Sequence, residues 1–356
     1  MPKLLKKPVK KTKIVEKVSK AIIDGKNKYL KIPLFGVILF CLLLVVTSFF
    51  SAFALLKIKV GDSSKITTAT NTFKAEKTNK PVFEFFVMSF CPYGNQMETT
   101  LRPVFDAIGN QAEIKPHYIF SKIEGNLSDY CAKNSPDVNQ CETYVKNSQG
   151  QLKDVADCKT QIAAIVKECN NEGQYLKIGN NLYSSLHGRI EANQDVREIC
   201  AYNLSSDKTQ WWNFVGNVNK NCTAQNADTC WEDQAKQAGF DTNKIKECFN
   251  KDAGTLIEQE IAITDKYQIQ ASPTLLLDGK SFPPTDASGA EITSSIKIGK
   301  KVFTIDQLRQ ASAIKEAICE SFNKSPKECK TEIAAEPTVA AGAAAAPAAA
   351  AAGSCN

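Results

Sequence analysis

The stretch that decides the reading runs from Val82 to Gly94, VFEFFVMSFCPYG. Val82, Phe83, Phe85, Phe86, Val87 and Met88 are β-branched, aromatic or otherwise apolar, and predict a buried strand. From Gln96 onward, Met97, Leu101, Val104, Phe105 and Ile108 recur with helical spacing. Cys91 falls where that helix begins. A thiolate there gains from the helix dipole and from backbone N–H groups that have no partner within the helix. Pro92 suits the first turn, because the N–H it lacks would be unpaired there anyway. No second cysteine follows one turn later, since position 94 is glycine.

Downstream, Glu113 to Phe120 (EIKPHYIF) reads as a second strand. Strand, helix and strand make a βαβ unit, with parallel strands and a right-handed crossover. Upstream, residues 58–80 are rich in Thr, Lys, Ser and Asn and read as a stalk, and residues 32–56 hold no charged side chain. A helix of that length is roughly 37 Å long, enough to span a bilayer core with some tilt. The expectation is a transmembrane helix at 32–57. The rival is a cleaved signal peptide, because Ala52-Phe53-Ala54 resembles a cleavage site.

Residues 1–31 carry eleven lysines against Glu16 and Asp24, about +9, so the positive excess behind the formal charge of +6 resides in this tail and the remainder is slightly acidic, at about −3. Lysines before the span place the N-terminus in the cytoplasm and the folded part outside it, at the cell membrane. A basic excess confined to one tail gives no reason to expect nucleic-acid binding.

Of thirteen cysteines, Cys41 lies in the apolar run and the rest follow it. None forms a C-x-x-C, and the only histidines are His117 and His187. Close ligand pairs are missing, so neither a metal nor another cofactor is expected. Spaced cysteines outside the cytoplasm read as disulfides.

Residues 128–265 read as a helical insertion. Ser135-Pro136 predicts a helix start, running to about Lys146. Leu152 to Cys169 predicts another, antiparallel to it about a turn near Gln149. In that hairpin Cys141 lies opposite Cys158 and Cys131 opposite Cys169, which predicts two nested bridges. Cys200, Cys222, Cys230 and Cys248 allow three pairings, and the sequence does not choose. Trp211, Trp212 and His117 read as core, and His187 as structural.

Tyr267 to Asp278 (YQIQASPTLLLD) returns to strand character, and Asp278-Gly279 signals a hairpin. Ile296 to Phe303 reads as a return strand. A last helix is expected from near Thr304, with Cys319 and Cys329 flanking its end and paired. From Thr331 the chain is Ala- and Pro-rich and reads as a disordered tail over 331–356. With the ten cysteines from Cys131 to Cys329 paired among themselves, Cys91 and Cys355 are expected to be free thiols.

A strand, FCPYG at a helix start and a distant SPT before a hairpin together resemble the thioredoxin superfamily. The long helical insertion is similar to that of periplasmic disulfide oxidoreductases. Its cysteine-rich form resembles the gamma-interferon-inducible lysosomal thiol reductases and the thioredoxin-like luminal region of plant vacuolar sorting receptors. CWEDQAKQAGFDTNKIKEC (Cys230 to Cys248), SPTLLLDG and AIKEAICESFNKSPKEC carry the latter likeness. The resemblance covers Val82 to Phe120 and Leu186 to Cys329.

It implies an α/β, thioredoxin-like domain over 81–330. Cys91 would be the nucleophile and Pro273 a cis-proline beside it. Pro92, Tyr93, Ser272 and Pro273 would line the seat for cysteine-containing proteins or peptides. The glycine at 94 departs from the oxidoreductase pattern and implies monothiol exchange or isomerisation. The alternative is a non-catalytic binding or scaffold module, the role this architecture has in the sorting receptors.

Overall fold

The computed structural model describes residues 71–148, 150–285, 292, 294–333 and 355. The basic tail and the transmembrane helix expected at 32–57 lie outside these residues, as do 334–354 and 356 of the expected tail. Among the described residues no helix is long and apolar enough to cross a membrane.

The central sheet is built on β2 (Val82–Val87). It pairs in parallel with β3 (Glu113–Tyr118) and antiparallel with β7 (Thr274–Leu277), which turns back into β8 (Lys280–Ser281). The order is β3-β2-β7-β8. Pro116 is accommodated because β3 is an edge strand, where a missing N–H breaks no ladder. Between β2 and β3 runs α1 (Pro92–Ile108).

Both faces of β2 are covered, so it reads as an apolar run rather than an alternation. Phe85 stacks on Trp212, with ring centroids 5.7 Å apart, and Phe86 stacks on His117 at 4.9 Å. Phe83, Phe85 and Phe86 are fully buried.

A second sheet contains β1 (Asn71–Thr72), β9 (Ile296–Ile298) and β10 (Lys301–Phe303), in the order β1-β9-β10. The expected stalk therefore ends early: Asn71 pairs with Ile296, and Thr78 exchanges hydrogen bonds with Ser321 and Asn323. The last helix also starts later than expected. Thr304 caps only a short 3-10 turn (Ile305–Gln307), as half of a capping box with Gln307.

The insertion begins with α2 (Leu127–Asn134), α3 (Cys141–Asn147) and α4 (Val155–Cys169). The helix start expected at Ser135-Pro136 is a helix end instead. Ser135 is the extended C-cap of α2, as a residue before proline prefers. A three-stranded sheet, β4 (Ser121–Lys122), β6 (Asn181–Ser184) and β5 (Leu176–Ile178), interrupts the helices and was not expected. Then come α5 (Arg189–Leu204), α6 (Lys208–Asn221), α7 (Ala227–Gln237) and α8 (Thr242–Tyr267). Gln268 ends α8 in the left-handed region, at φ 53°. The closing helix is α9 (Ala311–Ser321).

Disulfides pin the helices. Cys131 is bonded to Cys169 and Cys141 to Cys158, the nested arrangement that the hairpin register called for. Of the three pairings open to the next four cysteines, the structure has Cys200–Cys248 and Cys222–Cys230. Cys319 is bonded to Cys329.

Candidate functional site

At the end of β2 the chain turns through Ser89 and Phe90, and the Cys91 N–H donates to Met88 O at 3.0 Å. Cys91 is the N-cap of α1, with Pro92 in the first turn. Its Sγ accepts a hydrogen bond from the Gly94 N–H at 3.4 Å, so one otherwise unpaired N–H of the helix end is aimed at the sulfur. Pro92 is exposed, Tyr93 half-buried and Cys91 fully buried.

Across from the sulfur lies the entry to β7. Ser272 and Pro273 are buried, and the peptide bond between them is cis. Cys91 Sγ is 3.4 Å from Ser272 O, and the Met88 N–H donates to Ser272 Oγ at 3.2 Å. Elements some 180 residues apart thus meet at one sulfur.

The free thiols expected at Cys91 and Cys355 are bonded to each other, across a sequence separation of 264. Parity had set these two apart from the rest, but no local periodicity relates positions so distant. Cys355 also pairs with Ser272 as an isolated antiparallel bridge. The Ser272 N–H donates to Cys355 O at 2.8 Å, and the Cys355 N–H donates to Ser272 O at 2.7 Å. This is the closely spaced hydrogen-bonded pair of an antiparallel ladder, and the way an extended peptide adds to a strand edge.

Beneath the Ser89–Phe90 turn lies a group that the sequence reading missed. Glu191, Asp195 and Glu198 occupy one stripe of α5, and all are fully buried. Phe90 N–H donates to Glu191 Oε1 at 2.8 Å, and Ser89 donates to Asp195 Oδ1 through both N–H (2.9 Å) and Oγ (2.5 Å). Tyr118 OH donates to Glu198 Oε2 at 2.7 Å. The chain carrying Cys91 is thus bolted to α5 through carboxyl groups.

Burial, and then the Glu191 charge, push the Asp195 carboxyl well above the usual range, against the hydrogen bonds from Ser89. Burial likewise raises Glu198 to about 7, against hydrogen bonds from Gln194 and Tyr118. Glu98, on α1, is raised by burial and by the Glu198 charge. The available signal was the spacing Glu191, Asp195, Glu198, which puts three acids on one helical face.

The histidines stand apart from the sulfur's direct contacts. His117 is fully buried between Glu260 (2.9 Å) and Glu84 (3.2 Å). Burial opposes its protonation, but the hydrogen bonds to Glu260 and then Glu84 prevail and raise its pKa. His187 is exposed; its ring Nδ1 lies 3.1 Å from Glu191 Oε1, and its N–H donates to Glu191 Oε2. Trp211 and Trp212 pack in the core. Among the described residues, no group of three or more His, Cys, Asp or Glu side chains is placed to hold a metal ion.

The family model of the vacuolar sorting receptor thioredoxin-like domain matches residues 142–274. With the βαβ unit, the β7 hairpin and the sulfur between them, this decides the fold class. The chain carries a thioredoxin-like domain. The matched segment runs from α3 through α8 to the first residue of β7, so it takes in Ser272 and Pro273 but not Cys91. No curated protein matches the chain.

Proposed function

We propose that this thioredoxin-like protein carries out thiol–disulfide exchange through Cys91, at the outer face of a membrane to which residues 32–57 anchor it. One observation carries the reading. Cys91 Sγ sits at a helix N-terminus, joined in a disulfide to a residue that hydrogen-bonds the Ser272 edge as an extended peptide would.

In the reducing direction, the Cys91 thiolate attacks one sulfur of a substrate disulfide. A mixed disulfide forms, and the other substrate sulfur leaves as a thiolate. The helix N–H groups stabilise the thiolate before attack. The bridges within 131–329 fit an oxidising, extracytoplasmic setting, and the substrates are cysteine-bearing proteins or peptides.

Incubating the reduced full-length chain with a disulfide-bridged peptide and quenching with acid checks this. A covalent adduct at Cys91 is expected in the wild type and none in Cys91→Ala. Equal behaviour of the two ends the exchange reading.

The second reading is a non-catalytic binding module. The match to a sorting-receptor domain that stops short of Cys91 favours it. It predicts a partner that binds Cys91→Ala as tightly as the wild type.

A further inference from the structure

We propose that Cys355 is the resolving cysteine of Cys91, so that the redox couple of this site is Cys91–Cys355 in place of a C-x-x-C. The proposal rests on the exchange reading above and names the group that completes it.

Three observations converge. First, the partner of Cys91 is defined. The other described cysteines are bonded in pairs within 131–329, and the sulfur joined to Cys91 is that of Cys355. Second, Cys355 is held by more than its sulfur. Its N–H and C=O exchange two hydrogen bonds with Ser272, whose carbonyl is itself 3.4 Å from Cys91 Sγ. Such a main-chain docking fixes the register of the arriving residue and delivers its side chain to one place.

Third, the usual place for a resolving thiol is closed. A Cβ at position 94 would lie 2.7 Å from Ser272 Oγ and 3.4 Å from both Met88 O and Val87 Cβ. Ser272 Oγ is not free to swing away without cost, because it accepts the Met88 N–H. The serine hydroxyl occupies the space where a cysteine on α1 would begin, and the second thiol arrives from the other end of the chain.

The step balances as follows. Once Cys91 holds a substrate sulfur in a mixed disulfide, the Cys355 thiolate attacks Cys91 Sγ. The Cys91–Cys355 bond forms, the Cys91–substrate bond breaks, and the second substrate sulfur leaves as a thiolate that takes up a proton. Over both steps the substrate disulfide gains two electrons and the protein dithiol loses them. An external dithiol, oxidised in turn to its disulfide, restores the pair. Cys355 takes over the Ser272 edge as the substrate leaves it, because one strand edge holds one partner.

The test uses the full-length chain, with the Cys91–Cys355 bond opened by limiting dithiol, and glutathione disulfide as the probe. Wild type should release two glutathiones per chain and end with Cys91–Cys355 and no lasting adduct. Cys355→Ala should release one, hold the other on Cys91, and lose it at least tenfold more slowly. Its far-UV circular dichroism should match the wild type, since Cys355 lies outside the helices and named strands and meets the domain as an isolated bridge.

If Cys355→Ala releases both glutathiones as fast as the wild type or faster, the proposal is overturned, and Cys355 merely plugs the seat. Cys91→Ala separates the two ideas. If it still consumes the probe at the wild-type rate, the exchange reading itself fails. If it is inert while Cys355→Ala behaves as wild type, only the resolving role fails.

Discussion

The bridges inside residues 131–329 and the bridge from Cys91 to Cys355 are the same bond put to different use. The former join cysteines 8 to 48 positions apart, within or between packed helices. The latter joins cysteines 264 apart and closes over the one sulfur at the head of α1. Chain entropy alone makes the longer loop the greater stabiliser, about 5–6 kcal/mol against about 2.5 for the shortest. On the proposed exchange reading the Cys91–Cys355 bond opens in every cycle, so it cannot be what holds the fold together. The domain has to be stable without it, and the short bridges and the apolar core supply that stability.

The largest expected effect lies on the long bridge. Cys91→Ala should abolish adduct formation with a disulfide probe, read by mass spectrometry of the acid-quenched chain, while the short bridges stay oxidised.

Next comes the bridge between α5 and α8. Replacing Cys200 and Cys248 together by Ala should lower the unfolding free energy by roughly 2–5 kcal/mol, read from the urea midpoint. The Cys91 adduct should still form. If exchange is lost in step with stability, the division between scaffold and working bridge fails.

The third effect concerns pH. Asp195, Glu198 and Glu98 hold protons in the native state that they release when unfolded. The native state then binds more protons than the unfolded one, so stability falls as pH rises from the ordinary carboxyl range towards about 7, the Glu198 value. The slope is about 1.4 kcal/mol per pH unit for each proton so retained. His117 acts in the same sense, since its hydrogen bonds to Glu260 and Glu84 raise its pKa and the stability so gained is lost as pH climbs through that raised value. Glu198→Gln should flatten the fall below pH 7, measured by urea melts at several pH values. An unchanged slope would remove Glu198 from the account.

The smallest global effect belongs to Cys141–Cys158. It belongs to a separate small cluster with Ile162, outside the main core. Replacing both by Ser should strip hydrogen-exchange protection from α3 and α4 first, and take at most about 3 kcal/mol from the global unfolding free energy, the loop term for a separation of 17 and below that of Cys200–Cys248.

Much of this was legible beforehand. β2 and α1 showed because an apolar run and a helical repeat meet at Cys91. The nested bridges showed because hairpin register fixes which cysteines face. Other features were hidden for identifiable reasons. Ser135-Pro136 serves a helix end as readily as a start, since serine caps and the residue before proline avoids helical geometry. The acids of α5 look like a solvated face until Ser89, Phe90 and Tyr118 are seen donating to them. The Cys91–Cys355 bond left only an arithmetic trace, two of the twelve cysteines beyond the apolar run being left over once the other ten are paired.

The Ser272 edge grips its occupant through one N–H and one C=O. Those groups are common to every amino acid but proline, which lacks the first. A seat that reads a peptide's main chain and a single sulfur is blind to the side chains on either side. On the proposed exchange reading such a seat favours breadth over selectivity, and any preference among substrates would fall to the surface around Pro92 and Tyr93.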